Sequence, residues 1–133
     1  MNYTLDTNIM SYLLKGNKDL LSKLKKKIEE EHTFIMNLIT YYEVCRGLLA
    51  INNIDKLEKF KEICNLFETG EITINTVYRA AIIYSELKRE GKLIDDADIF
   101  IASICMEDNL ILVTNNEKHF QRIKGLKIEN WVE

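Results

Sequence analysis

Acidic side chains follow or interrupt apolar segments at three separate places in the sequence. Asp6 ends the apolar start of MNYTLD, Glu43 lies in ITYYEVCRGLL, and Asp96 and Asp98 lie in LIDDADIFIA. Carboxylates that lie close together repel and raise one another's pKa, so a cluster of them needs a cation. Oxygen ligands without a nearby His or Cys suit Mg²⁺ or Mn²⁺ rather than zinc. If the fold brings these residues together, they indicate a hard-metal site for phosphate chemistry.

Each acidic position also has a purely structural explanation. Thr40 and Glu43 have the spacing of a capping box at a helix start. Asp95 would be a good N-cap, and Asp98 in the first turn would complement the helix dipole. Asp6 suits a local turn with the polar residues that follow it. Capping explains each position singly, but it gives no reason for the positions to share a location in the fold.

Short apolar segments alternate with helical patterns along the chain. The predicted strands cover residues 1–5, 33–38, 71–75, 110–113 and 126–129. The predicted helices cover residues 9–15, 20–28, 40–50, 54–67, 77–90 and 95–107. Strands separated by helices imply a central parallel sheet with helices on both faces. We therefore predict a single α/β domain over residues 1–133.

The predicted sheet gives the acidic residues a reason to converge. In a parallel sheet, the carboxyl ends of the strands and the starts of the following helices lie at one edge, where ligands bind. Asp6 and Asn116 both follow apolar strands, and Glu43, Asp96 and Asp98 lie near helix starts. We expect these side chains to meet at that edge.

Composition limits the class of protein. With 133 residues, of which 47% are hydrophobic and 29% charged, the chain fits one soluble globular domain. No apolar run approaches the roughly 18 residues of a membrane span and no signal segment is recognisable, so we expect a cytoplasmic protein without a membrane partner. The scattered Cys45, Cys64 and Cys105 are typical of buried reduced thiols. The net charge of −3 means that nucleic acid must bind through a local basic face.

Four segments, taken in order, resemble a known family. They are LDTNI, TYYEVCRGL, DADIFIASI and ILVTNNEKHF, followed by the closing IKGLKIENW. The set resembles the PIN-domain nucleases and is most similar to the VapC-type toxins of prokaryotic toxin–antitoxin pairs. The resemblance implies a PIN-like fold, a metal-dependent endoribonuclease, a cognate antitoxin and a homodimer. VTNN and GLKIENW are similar to the branch that cleaves initiator tRNA.

The resemblance also assigns roles to particular residues. It implies that Asp6, Glu43 and Asp98 are the catalytic carboxylates and the ligands of Mg²⁺ or Mn²⁺. The family's fourth, more variable acidic position falls on Asn116, whose amide can bind a metal or orient its water but adds no charge. Asp96 is the nearest acidic residue that would compensate for that loss.

Other polar residues are expected to support the site. Asn8 and Thr114 would hold the ligands and the backbone in place. Arg46, in an otherwise apolar helix, is expected to orient phosphate or the ligands. His119 stands where many relatives carry an acidic residue, and we expect it to face the surface or the substrate.

The expected mechanism is hydrolysis by a metal-activated water. A cation lowers the pKa of bound water and neutralises charge on the scissile phosphodiester, while Glu43 or Asp98 orients the water or accepts its proton. Because water is the nucleophile, the RNA 2′-hydroxyl is not needed, and we expect 5′-phosphate and 3′-hydroxyl ends. Lys118 and Arg122 are the expected RNA contacts, whereas the lysine cluster at 23–27 is expected to be a solvated face.

Three alternatives belong to other classes of protein. A phosphoryl-accepting receiver domain would place an acidic pair directly after the first strand, where Asp6 stands alone. A phosphatase with a nucleophilic aspartate would have a second Asp two residues later, where the sequence has Asn8. A PIN-like RNA-binding module with a weakened or inactive metal site is favoured by Asn116 and opposed by the presence of all three carboxylates.

Overall fold

The computed structural model describes residues 1–132, in which five strands alternate with seven helices. The strands are β1 (Asn2–Leu5), β2 (Thr33–Met36), β3 (Glu68–Thr69), β4 (Ile111–Val113) and β5 (Ile128–Glu129). The helices are α1 (Thr7–Leu14), α2 (Lys18–Glu29), α3 (Leu38–Ala50), α4 (Ile54–Cys64), α5 (Ile74–Arg89), α6 (Asp96–Glu107) and α7 (Glu117–Phe120). The predicted α/β class is confirmed.

The strands form one parallel sheet in the order β3-β2-β1-β4-β5. The central strand β1 has a neighbour on each side, so that Tyr3 pairs with Phe34 of β2 and with Ile111 of β4. The chain order reverses between β1 and β4, and such a switch point opens a crevice beyond the carboxyl ends of the two strands. Asp6 and Thr114 are the residues that directly follow these two strands.

Helices cover both faces of the sheet with two apolar cores. The core beneath α1 to α4 includes Tyr3, Leu5, Ile9, Met10, Leu24, Phe34 and Phe60. The core beneath α5 and α6 includes Ile83, Leu87, Ile101, Cys105, Leu112 and Phe120. Because β1 and β4 are buried on both faces, they are short continuous apolar runs rather than alternating ones.

The predicted capping box at the start of α3 is wrong. Asn37 is the N-cap, and its side chain accepts a hydrogen bond from the amide of Ile39. Thr40 lies fully buried inside the helix, where its hydroxyl donates to the carbonyl oxygen of Leu5 at 3.2 Å. Glu43 is therefore not needed as a capping residue.

The predicted strand at residues 71–75 is also wrong. Thr73 caps α5 through a reciprocal pair of hydrogen bonds with Thr76, so the helix begins at Ile74. The alternation of Ile72 and Ile74 with polar residues does not mark a half-buried strand, because both side chains are exposed. The strand that pairs with β2 is the two-residue β3, which lies just before this segment.

Two further expectations concern the membrane and the cysteines. No helix within residues 1–132 is long and apolar enough to cross a membrane. Cys105 is buried, Cys45 and Cys64 are partly buried, and all three are free thiols. Burial raises the pKa of the Cys64 thiol to about 11, which keeps it protonated and unreactive.

Asn37 should contribute more to stability than an ordinary helix cap. Its fully buried side chain also donates to the carbonyl oxygen of Ile101 in α6, so it joins two helices. Asn37→Ala should lower the free energy of unfolding by about 2 kcal/mol, since the Ile39 amide and the Ile101 carbonyl oxygen both lose their hydrogen-bond partner. Asn53→Ala, which removes the partly exposed cap of α4, should cost about 1 kcal/mol. Urea unfolding measures both values, and an equal loss would contradict the bridging role.

Candidate active site

Asp6 is a buried carboxylate at the end of the central strand. Its side chain is only 4% exposed. Oδ1 accepts a hydrogen bond from the Thr7 amide at 2.7 Å, and Oδ2 accepts one from the Thr114 hydroxyl at 2.8 Å. Burial, together with smaller effects of the charges of Asp98 and Glu43, raises the pKa of Asp6 to about 6 despite these hydrogen bonds. The Asp6 environment therefore disfavours an uncompensated negative charge.

Glu43 is joined to Asp6 through Thr7. The Thr7 hydroxyl donates to Glu43 Oε1 at 2.7 Å, while the amide of the same residue donates to Asp6. Arg46 lies one turn further along α3, with Nη2 3.6 Å from Glu43 Oε2 and its guanidinium over the Tyr42 ring. Arg46 thus contacts the acidic cluster directly, as the sequence predicts for an orienting cation.

Asp98 is joined to the other side of the crevice through His119. It lies in the first turn of α6, with Oδ2 3.4 Å from His119 Nδ1. Burial raises the pKa of Asp98, the contact with His119 lowers it, and the charge of Glu43 raises it again. His119 Nδ1 also lies 2.9 Å from Asn116 Nδ2. The backbone amide of Asn116 donates to the Thr114 hydroxyl at 2.9 Å.

These contacts form one continuous chain that links the three carboxylates. In order, its members are Glu43, Thr7, Asp6, Thr114, Asn116, His119 and Asp98. The sequence identified the acidic members, Thr114 and Asn116, but it did not identify Thr7. The position of Thr7 directly after Asp6 was the available signal. In the structure its amide contacts Asp6 and its hydroxyl contacts Glu43.

The carboxylates suit a hard cation, but they do not lie close enough together to coordinate one in this structure. Nowhere in residues 1–132 do three Asp, Glu, His or Cys side chains stand close enough together to hold a metal ion. The charges of Asp98 and Glu43 nevertheless raise the pKa of Asp6, and the charge of Glu43 raises the pKa of Asp98, so the three side chains lie within electrostatic reach of one another. Carboxylate oxygens are the ligands that Mg²⁺ and Mn²⁺ prefer. Binding such a cation requires Glu43 and Asp98 to come closer to Asp6, which its two hydrogen bonds hold in place.

Two predicted supporting residues lie away from the carboxylates. Asn8 is exposed on α1, and its side chain makes no hydrogen bond to any residue from 1 to 132. Asp96 is exposed beside Val77 and Tyr84 in a groove between α5 and α6. The structure therefore does not bring Asp96 to the position where it would compensate for Asn116.

An apolar cavity opens beside Glu43. It has a volume of about 270 Å³ and lies between α1, α3 and α4. Thr7 and Glu43 form its polar end, its apolar wall consists of Leu14, Val44, Leu48 and Ile51, and Lys15 and Lys56 also line it. The acidic cluster is thus continuous with a largely apolar cavity that carries charges of both signs.

Comparisons with known proteins agree with this geometry. The family model described as PIN domain matches residues 3–126. Ribonuclease VapC1 of Haemophilus influenzae (strain R2866) is 30% identical over 100% of both chains. Ribonuclease VapC1 of Methanocaldococcus jannaschii is 36% identical over 82% of this chain and 96% of its own length. The tRNA(fMet)-specific endonuclease VapC of Shigella flexneri is 25% identical over 98% of both.

Solved structures show the same likeness over the whole fold. VapBC2 from Rickettsia felis, bound to a DNA fragment from its promoter, gives a TM-score of 0.88 at 29% identity and covers 99% of this chain and 100% of that chain. VapBC-1 from nontypeable Haemophilus influenzae gives a TM-score of 0.86 at 26% identity and covers 100% of this chain and 100% of that chain. The sequence and the fold together show that the chain belongs to the PIN-domain family, among its VapC-type ribonucleases.

Proposed function

We propose that this protein is an endoribonuclease toxin that hydrolyses RNA phosphodiester bonds and is neutralised by a cognate antitoxin. The observation that carries the proposal is the hydrogen-bonded chain that joins Glu43, Asp6 and Asp98 at the switch point of the sheet. The ribonuclease relatives supply the substrate class. The relative described as tRNA(fMet)-specific supports a tRNA substrate.

We further propose that Asp6, Glu43 and Asp98 hold Mg²⁺ or Mn²⁺. The bound cation supplies charge neutralisation at the phosphate and a lowered pKa for its water. Thr7 and Thr114 fix both oxygens of Asp6, which leaves the carboxylate one orientation toward the crevice. Glu43 or Asp98 accepts the proton of the attacking water.

We propose that the antitoxin occupies the cavity between α1, α3 and α4. Its apolar wall suits an apolar segment, and its polar end at Glu43 suits a cationic side chain that neutralises the carboxylates. The neighbouring solved structures described as VapBC support an antitoxin partner. A segment that fills this cavity would block access to Glu43 and so inhibit the nuclease.

We also propose a homodimer through the outer face of α5. Apolar side chains repeat along this helix with the spacing of a single stripe, and several are exposed: Ile74, Val77, Tyr78, Ile82 and Tyr84. A contiguous exposed apolar face marks an interaction surface. A second copy of the chain, presenting the same face, is the occupant that would cover these side chains.

RNA cleavage tests the function directly. Asp6→Asn, Glu43→Gln and Asp98→Asn should each abolish cleavage and relieve growth arrest, since each removes a charged ligand. Asn116→Ala should be milder because an amide contributes less to cation binding. End-mapping of cellular RNA after brief expression should find 5′-phosphate and 3′-hydroxyl ends that are absent with Asp6→Asn. Robust cleavage in excess EDTA would contradict the metal mechanism, and RNA binding with neither Mn²⁺ binding nor cleavage would favour the RNA-binding module.

The stability of Asp6→Asn should depend on pH and on metal. Because the folded pKa of Asp6 is raised from its ordinary 3.8 to about 6, its ionisation opposes folding. The penalty builds up as the pH rises from about 4 to 6 and amounts to about 3 kcal/mol above that range.

In EDTA at pH 7.5, Asp6→Asn should therefore melt at a higher temperature than the parent, and the difference should narrow to about a third by pH 4.5 and close below about pH 3.5. Adding Mn²⁺ should reverse the order, because only the parent gains stability by binding the ion. Asp55→Asn, which changes an exposed carboxylate on α4, is the control and should follow the parent at every pH. If Mn²⁺ raises the melting temperatures of the parent and of Asp6→Asn equally, Asp6 is not a ligand of the ion.

A charged substitution at the centre of the exposed α5 face tests the proposed homodimer. Tyr78 is 70% exposed in one chain, so Tyr78→Asp should leave the monomer folded but place an unpaired charge in the interface. Light scattering at micromolar concentration should find a dimer for the parent and a monomer for the variant. Leu66→Asp, at an exposed apolar residue after α4, should remain a dimer. A monomeric parent would refute the proposal.

A further inference from the structure

A basic depression lies on the Asp98 side of the crevice. It is formed by the loop after α5 and by the turn that includes α7, with a volume of about 420 Å³. Its lining consists of Gly91, Lys92, Lys118, Gln121 and Arg122. Three of these five residues are cations, and none is acidic. In a chain with a net charge of −3, this is a local concentration of positive charge.

Arg122 gives this depression a fixed shape. Its Nη1 donates to the carbonyl oxygens of Lys92 at 3.4 Å and of Leu93 at 3.1 Å. These bonds fasten the loop that leads into α6, the helix that carries Asp98. A guanidinium has five N–H donors, so the remaining donors of Arg122 stay available for another acceptor.

Lys92 and Lys118 add two exposed positive charges to the depression that Arg122 lines. Lys118 is exposed and directly precedes His119, which contacts Asp98. Lys92 lies 4.0 Å from Glu90, and both side chains are more than a third exposed. An exposed pair of this kind contributes little to stability, so a stronger anion can displace Glu90 from Lys92.

An RNA substrate needs cations near the acidic cluster, because its phosphates would otherwise meet only repulsion there. Arg46 is already engaged with Glu43 and the Tyr42 ring. We propose that the depression lined by Lys92, Lys118 and Arg122 binds a backbone phosphate of the RNA, one or a few nucleotides away from the bond that is cleaved. The proposal rests on the ribonuclease function, and it adds Lys92, which the sequence did not single out.

The proposal is tested by the salt dependence of RNA binding. Fluorescence anisotropy with a labelled single-stranded RNA, in EDTA to prevent cleavage, gives the dissociation constant at a series of KCl concentrations. Lys92→Ala combined with Lys118→Ala should weaken binding several-fold and reduce the slope of log K against log[KCl] by about 0.7, since loss of one phosphate contact on a single strand removes about that much. Lys92→Arg combined with Lys118→Arg keeps both charges and should retain the slope.

Lys25→Ala combined with Lys26→Ala is the matched control, because it removes two exposed charges from α2. The control should bind RNA like the parent. An equal loss in the control would mean general electrostatic attraction and would overturn the subsite. Weakened binding of double-stranded DNA by the same factor would overturn its assignment to an RNA strand.

The outcome also separates this proposal from the function on which it rests. If the parent cleaves RNA in Mn²⁺ and the Lys92→Ala, Lys118→Ala variant binds RNA as the parent does, the subsite is refuted and the nuclease stands. If the parent neither binds nor cleaves RNA, the ribonuclease function itself fails.

Discussion

The charge of Asp6 has to be accommodated where almost no water reaches it, at the end of the central strand. Burial makes that charge unfavourable, and Glu43 and Asp98 add like charges within reach. The surrounding polar groups are arranged around this constraint. Thr7 and Thr114 each donate a hydrogen bond to one oxygen of Asp6, and the reversal of strand order between β1 and β4 opens the crevice that all three carboxylates face.

The acidic residues were predictable because each belongs to a local pattern. An apolar strand followed by Asp6, and a helix start that carries Asp98, locate both residues once a parallel sheet is assumed. The role of Thr40 was not predictable in the same way. Its hydroxyl bonds to Leu5, which is 35 residues away in the chain. A local capping pattern cannot reveal a partner at that separation, so the spacing of Thr40 and Glu43 indicated only a capping box.

Asp96 and the 71–75 segment show two other limits of a sequence pattern. Residues two apart on a helix point to different faces, so once Asp98 faces the crevice, Asp96 has to turn toward the α5–α6 groove. In the 71–75 segment, the alternation predicted a strand, but the Thr73–Thr76 hydrogen bonds begin a helix instead. Ile72 before the helix and Ile74 at its first position imitate the alternation of a half-buried strand, although both side chains are exposed.

Asn116 is better explained as an adaptable partner than as a defect of the site. His119 Nδ1 lies close to both Asp98 Oδ2 and Asn116 Nδ2. A neutral ring with an unprotonated Nδ1 accepts a hydrogen bond from the Asn116 side-chain amide. Nδ1 and Asp98 Oδ2 are then two acceptors 3.4 Å apart, which need positive charge nearby. A ring that carries the Nδ1 proton donates to Asp98, and the amide then presents its oxygen. An Asn serves both arrangements because it has a donor and an acceptor, whereas an ionised Asp accepts only. The amide therefore keeps His119 in place whether a proton or a cation neutralises Asp98.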